Sequence, residues 1–105
     1  MQNEGMNLSY VVLYVSDLQQ SFKFYRDLGF GLTAEQHGNG PPHYSFSVGD
    51  LLIELYPAKD KKVSQFRLGI ALGNSSPLLQ LLDINNEKIV RDPDGNVLHF
   101  TKILN

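Results

Sequence analysis

The sequence contains no cysteine, which removes disulfides, thiolate nucleophiles and Cys-based zinc sites in one step and leaves oxygen and imidazole as the only groups able to hold a metal. No run approaches the roughly 18 apolar residues needed to cross a bilayer. The opening stretch Met1 to Gly5 carries neither the basic nor the apolar region of a secretory signal, so a cytoplasmic protein without a membrane partner is the expectation. An excess of positive charge is also missing: nine Lys and Arg face eleven Asp and Glu, for a net charge of −2, and the one basic cluster, Lys59, Lys61 and Lys62, is opposed by Asp60. A nucleic-acid partner is therefore not expected.

What remains is ordinary material for a fold. The chain is 42% hydrophobic, with no low-complexity tract that would prevent core formation. Its 105 residues are enough for one core and too few for two, since domains typically hold about 100 to 200 residues. Residues 1–105 are accordingly read as a single domain.

The run Leu8 to Val15 (LSYVVLYV) is rich in β-branched and aromatic residues, which suit a pleated, half-buried surface, and predicts a first strand. Ser16 and Asp17 are each followed three residues later by a Gln, the reciprocal pattern that satisfies free N–H groups at a helix start. Leu18, Ser21, Phe22, Tyr25 and Leu28 share a helical face and Gly29 supplies a left-handed stop, which predicts a helix over about Asp17 to Leu28. Phe30 to Gln36 reads as a strand. It leads into His37-Gly38-Asn39-Gly40-Pro41-Pro42, a loop that neither a helix nor a central strand would tolerate. Tyr44 to Val48 and Leu51 to Tyr56 form an antiparallel pair about the Gly49-Asp50 turn.

After the polar stretch Pro57 to Ser64 the order begins again. A strand over Phe66 to Leu72 precedes a short helix entered through Ser76 and Pro77. A brief strand at Lys88 to Val90, a turn at Asp92-Pro93-Asp94-Gly95 and a closing strand over Val97 to Ile103 follow. The second half thus repeats the first, with one strand missing after its helix.

With that order in place, the strings YVVLYVSDLQQSFKFYRDLGF, LLIELYP and VRDPDGNVLHF resemble the vicinal oxygen chelate superfamily, which includes glyoxalase I, bleomycin-resistance proteins, fosfomycin-resistance enzymes and extradiol dioxygenases. The resemblance runs from about Leu8 to Lys102; its first string is the specific one, because any hairpin can use DPDG. It implies an α+β fold in which paired βαβββ modules form a cup-shaped mixed sheet with helices outside, the first module at about 8–56 and a shortened second at about 65–103. It also implies a small organic molecule as partner and a homodimer in which modules of two chains complete each cup. In metal-bearing members one divalent ion (Zn, Ni, Mn or Fe) is held by four inward side chains on the first and fourth strands of each module. Mapped onto this chain, those positions fall on Tyr10, Glu54, Gly69 and His99, and only Glu54 matches the family in kind.

Strand alternation supports the same mapping independently. Val11, Leu13 and Val15 face the core and leave Tyr10, Val12 and Tyr14 for the cup. Ile53 and Leu55 are core, while Leu52, Glu54 and Tyr56 face inward. Leu68, Ile70 and Leu72 are core, while Arg67, Gly69 and Ala71 face inward. Leu98 and Phe100 are core, while Val97, His99 and Thr101 face inward.

A carboxylate in an apolar strand asks for a partner, so Glu54 is a candidate catalytic or metal-ligating group, with a salt bridge to Arg67 as the plain alternative. His99 is the second such candidate, as base or ligand, against the reading of a hydrogen-bonded core histidine. His43, turned inward by alternation from Tyr44, is a further ligand candidate. Tyr10 could ligate only as a phenolate, which a phenol pKa near about 10 disfavours. Tyr10, Tyr14 and Tyr56 give aromatic walls suited to flat ligands, unless they merely pack the sheet. Arg67 could clamp an anionic group, and the His37 loop could cover the cup or be a plain connector. The expectation is a small-molecule-binding member of the superfamily with an incomplete metal site and no functional metal. The alternatives are a glyoxalase-like lyase or dioxygenase-related enzyme using Glu54, His99 and His43, and a dimeric assembly module built on open sheet edges.

Overall fold

In the computed structural model, which describes residues 5–103, the β-rich runs become seven strands. They are β1 (Tyr10–Val15), β2 (Thr33–Glu35), β3 (His43–Val48), β4 (Leu51–Pro57), β5 (Arg67–Leu72), β6 (Glu87–Arg91) and β7 (Val97–Lys102). One α-helix, α1 (Leu18–Leu28), follows β1, and a 3-10 helix (Pro77–Leu81) follows β5. The first four residues, which bear on the expectation about a secretory signal, lie outside the described residues.

The strands form two sheets, ordered β1-β4-β3-β2 and β5-β7-β6. β1 with β4 and β5 with β7 are parallel, and the other pairs are antiparallel. β7 occupies the place of β4 and β6 that of β3, so the strand missing from the second half is the counterpart of β2. The expected mixed sheet with its shortened second module is present, divided within one chain into pieces of four and three strands.

Alternation assigns the core correctly. Leu13, Val15, Ile53, Leu55, Ile70, Leu72, Leu98 and Phe100 are all buried, each such side chain contributing about 1.5–3 kcal/mol. The helix lies on this face: Tyr25 stacks on Phe46 with ring centroids 5.1 Å apart, and Phe22 meets Tyr44 at 4.4 Å. Asp17 is the cap, its carboxylate accepting from the Gln20 N–H at 3.0 Å. Gly29 ends the helix at φ 122°, and a Cβ there would lie 2.5 Å from Leu78 Cδ2. The same glycine therefore stops α1 and admits the 3-10 helix against it.

Two expectations are corrected. The strand read over Phe30 to Gln36 shrinks to Thr33–Glu35, because Phe30 turns into the core and packs between the sheets, 4.6 Å from Phe46 and 6.4 Å from Phe100. The second helix is a 3-10 turn of five residues rather than an α-helix, although Ser76 caps it as expected by accepting from Leu78 N–H at 3.1 Å.

The DPDG turn does more than reverse the chain. Asp92 is buried and accepts the Tyr25 hydroxyl at 2.7 Å, the backbone N–H groups of Asp94 and Asn96 at 2.9 Å each, and the Asn96 side-chain amide. Asn96 in turn accepts from Phe66 N–H at 2.8 Å. Asp94 accepts the Ser16 N–H at 3.1 Å and its hydroxyl at 2.5 Å. This turn thereby joins the second sheet to the β1–α1 junction at Ser16 and to the later part of α1 at Tyr25. Burial first, then the Asp92 hydrogen bond and the charges of Asp92 and Asp94, push the Tyr25 phenol well above its usual range.

Candidate functional site

Register places the inward-facing side chains in rows. On the first sheet Glu35 lies opposite His43, and Tyr14 opposite Tyr56. The His43 ring stacks on Tyr56 with centroids 4.1 Å apart and planes within 12°, which makes one continuous row, Glu35, His43, Tyr56, Tyr14. The adjacent row is Thr33, Ser45, Glu54 and Val12. Glu54 therefore sits diagonal to His43, with Oε2 3.9 Å from Nε2.

His43 is the most enclosed group here, its side chain only 1% exposed. Its Nδ1 lies 3.1 Å from the Pro41 carbonyl. A carbonyl can only accept, so Nδ1 carries a proton, and in the neutral ring Nε2 is left with a lone pair. That Nε2 is buried without a hydrogen-bond partner and faces Glu35 Oε1 at 3.4 Å as well as Glu54. His37, on the following loop, comes to within 3.8 Å of the same Glu35 oxygen.

Beyond this acidic end the row opens into a hollow of about 380 Å³ lined by Tyr14, Tyr56, Pro41, Ala58, Lys59 and Lys61. Tyr14 and Tyr56 stand 6.3 Å apart at 59°, and Lys61 Nζ lies 5.4 Å from the Tyr14 ring centre. The Tyr56 phenol is pushed up by partial burial and by the Glu54 and Glu35 carboxylates, so it is a neutral hydroxyl at physiological pH. A larger cavity, about 480 Å³, lies at the opposite end among Phe30, Ser47, Ile70, Leu72 and Leu78. No ionisable side chain lines it.

On the second sheet Gly69, His99 and Ile89 form a row. His99 is flanked by Arg67, whose Nη2 lies 3.5 Å from Nδ1, and by Glu87, 3.5 Å from Nε2. Both contacts are at the outer limit of hydrogen-bond length, and together they occupy both ring nitrogens. Arg67 thus partners His99; among the described residues it makes no ion pair with Glu54. Tyr10, at the start of β1, is 59% exposed.

Of the residues singled out from sequence, the structure brings together Glu54, His43, Tyr56 and Tyr14 on one sheet and Arg67 with His99 on the other. Glu54 and His99 have separate partners. Glu35, His37 and Lys61 complete the first group and Glu87 the second. A sequence signal for Glu35 existed in principle, as the residue opposite His43, but it needs the β2–β3 register, which the Gly-Pro loop conceals.

The four positions to which the resemblance assigns a divalent ion, Tyr10, Glu54, Gly69 and His99, do not fit one. Gly69 has no donor, Tyr10 is a largely exposed phenol, and His99 has both nitrogens engaged. Glu54 alone remains, which is too few ligands for a site.

The family model described as Glyoxalase/Bleomycin resistance protein/Dioxygenase superfamily matches residues 7–72. No curated protein matches the chain by sequence. Among solved structures, the fold is similar to lactoylglutathione lyase from Agrobacterium tumefaciens, at TM-score 0.62 and 16% identity with 96% of each chain covered. It is also similar to TioX from Micromonospora sp. ML1, at TM-score 0.67 and 15% identity, covering 94% of this chain and all (100%) of that one. A third is TnmS3, an antibiotic binding protein from Streptomyces sp. CB03234, at TM-score 0.60 and 19% identity, with 94% and 97% covered.

Proposed function

The chain belongs to the Glyoxalase/Bleomycin resistance protein/Dioxygenase superfamily, and from that premise we propose that it binds a small, flat organic molecule in the hollow beside Tyr14 and Tyr56, without the family's four-ligand metal centre. The observation that carries this reading is the aromatic row itself: two tilted tyrosine rings with Lys61 over one of them, next to an opening of about 380 Å³. Aromatic walls take up planar apolar surface, and a few polar tips set orientation. Here Lys61 would meet an electron-rich or anionic edge, and the Tyr56 hydroxyl would donate or accept at neutral pH. That one similar fold is an antibiotic binding protein makes planar aromatic antibiotics the first compounds to try.

The reading treats residues 1–105 as one domain of two modules, about 8–56 and 65–103, acting as a cytoplasmic homodimer. Its support is the open edges. The hydrogen bonds of Ser9 and Val15 to the β4 side, and of Phe66 and Leu72 to the β7 side, leave by alternation the backbone groups of Tyr10 and Val12, and of Arg67, Gly69 and Ala71, pointing away from their sheets. Tyr10, Leu8 and Ile89 are exposed apolar surface nearby. Pairing β1 of one chain with β5 of another would cover both edges and bring Tyr10, Arg67 and His99 over the hollow as further ligand contacts. A sedimentation mass equal to one chain at micromolar concentration would exclude this arrangement.

Binding is tested by titrating a panel of planar aromatic antibiotics and following heat. At least one compound should bind at micromolar concentration, and Tyr14→Ala should weaken it about tenfold, equivalent to about 1.4 kcal/mol. Unchanged affinity in Tyr14→Ala, or no binder in the panel, would refute the proposal.

A further inference from the structure

We infer that Glu35, His37 and His43 form a site for a divalent cation of the zinc type at the β2–β3 end of the first sheet, separate from the four positions that metal-bearing members of the superfamily use. One donor atom from each of the three residues lies within 4.8 Å of the others. His43 Nε2 and His37 Nε2 are 3.4 Å and 3.8 Å from Glu35 Oε1. Bonds of about 2.0–2.1 Å at tetrahedral angles place zinc ligands about 3.3–3.4 Å apart, so small rotations of exposed His37 would close the set.

His43 itself is held as a ligand would be. Its Nδ1–H is committed to the Pro41 carbonyl, and its ring is clamped against Tyr56. That arrangement fixes the tautomer and aims Nε2 in the way a metal-bound imidazole is commonly held from behind. The aimed Nε2 has no hydrogen-bond partner and faces two carboxylate oxygens, at 3.4 Å and 3.9 Å. In the neutral ring Nε2 and the two carboxylate oxygens are all acceptors, and lone pairs do not satisfy one another. A cation between them resolves the conflict. Two imidazoles and a carboxylate form a donor set that zinc accepts with a position left open, and the same borderline ligands suit cobalt and nickel. Glu54 stands at the edge of the set as a second carboxylate.

A second proton on Nε2 is the competing cation, and direct metal binding separates the two. Protein stripped with a chelator is titrated with Co(II) alone, reading its visible absorption, and then with Zn(II) against a chromophoric chelator. One equivalent should bind. His37→Ala and Glu35→Gln should each weaken binding at least about tenfold, since even indirect partners of a metal site are worth that much. His43→Ala should abolish it, and His99→Ala should leave it unchanged. If His43→Ala does not fold, His37→Ala decides, because that side chain is 72% exposed. Absence of stoichiometric binding by the unaltered protein would overturn the inference. So would binding that survives His37→Ala and disappears in His99→Ala. The antibiotic titration with Tyr14→Ala reads a different site, so either proposal can fail without the other.

Discussion

The two sheets each bury one face in a shared core, yet their opposite faces treat a histidine in opposite ways. On the first, His43 is enclosed, its ring stacked and one nitrogen left facing carboxylates. On the second, His99 is half-buried and each ring nitrogen has a neighbour, Arg67 on one side and Glu87 on the other. A histidine with both nitrogens engaged serves as a bridge between charges. One with a single orphaned, buried nitrogen is poised for a cation. The position to which the resemblance assigns a ligand and the position whose geometry suits a cation therefore differ in this chain: His99 is the former and His43 the latter.

The largest effect tests whether the two sheets form one cooperative unit despite these differences. Asp92→Ala removes the acceptor for Tyr25, Asn96 and two backbone N–H groups at the junction of the halves. Leaving such buried donors unpaired should cost about 3 kcal/mol, seen as a lower midpoint in a single urea transition. Two separated transitions would show the sheets to be independent.

The next effect sharpens the contrast between the histidines. His43→Ala, in chelator, should lose about 2–3 kcal/mol through the emptied volume and lost ring stacking, partly offset by removal of an unsatisfied nitrogen. His99→Ala should lose less than about 1 kcal/mol, because its contacts are long and partly solvated. Equal losses in chemical denaturation would erase the distinction drawn here.

A smaller effect appears only at alkaline pH. The folded state holds the Tyr25 proton well above the usual phenol range. Below pH about 10 both folded and unfolded chains keep that proton. Above it the unfolded chain loses a proton that the folded chain retains, so stability falls as pH rises. Tyr25→Phe should lose part of this alkaline slope in urea titrations between pH 9 and 11; an unchanged slope would assign it elsewhere.

The frame of the molecule could be read from local chemistry. The β-branched run at β1, the Asp17 cap with Gln20 and the alternation that buries Ile53, Leu55, Leu98 and Phe100 all depend on neighbours in sequence, and the structure has them. Phe30 was harder to place, since an aromatic after a helix suits a strand as well as a core wedge. Its role depends on Phe46 and Phe100, far away in the chain. The site was legible only in part for a similar reason. Parity turned His43, Glu54, Tyr14 and Tyr56 to one face, but the partners that define their chemistry come across strands. Glu35 meets His43 only because of a register set beyond the irregular loop, and Lys61 reaches Tyr14 from a stretch that looks like a connector. Likewise Glu87 reaches His99 from a neighbouring strand.

The central claim is that the cation-seeking chemistry of this chain lies on the first sheet and not at the family positions. The chain has three histidines, so imidazole nitrogen NMR during a Zn(II) titration observes every one. The account predicts that His43 and His37 shift together and stop at one equivalent while His99 stays still. Movement of His99 with His43 and His37 unchanged would contradict it.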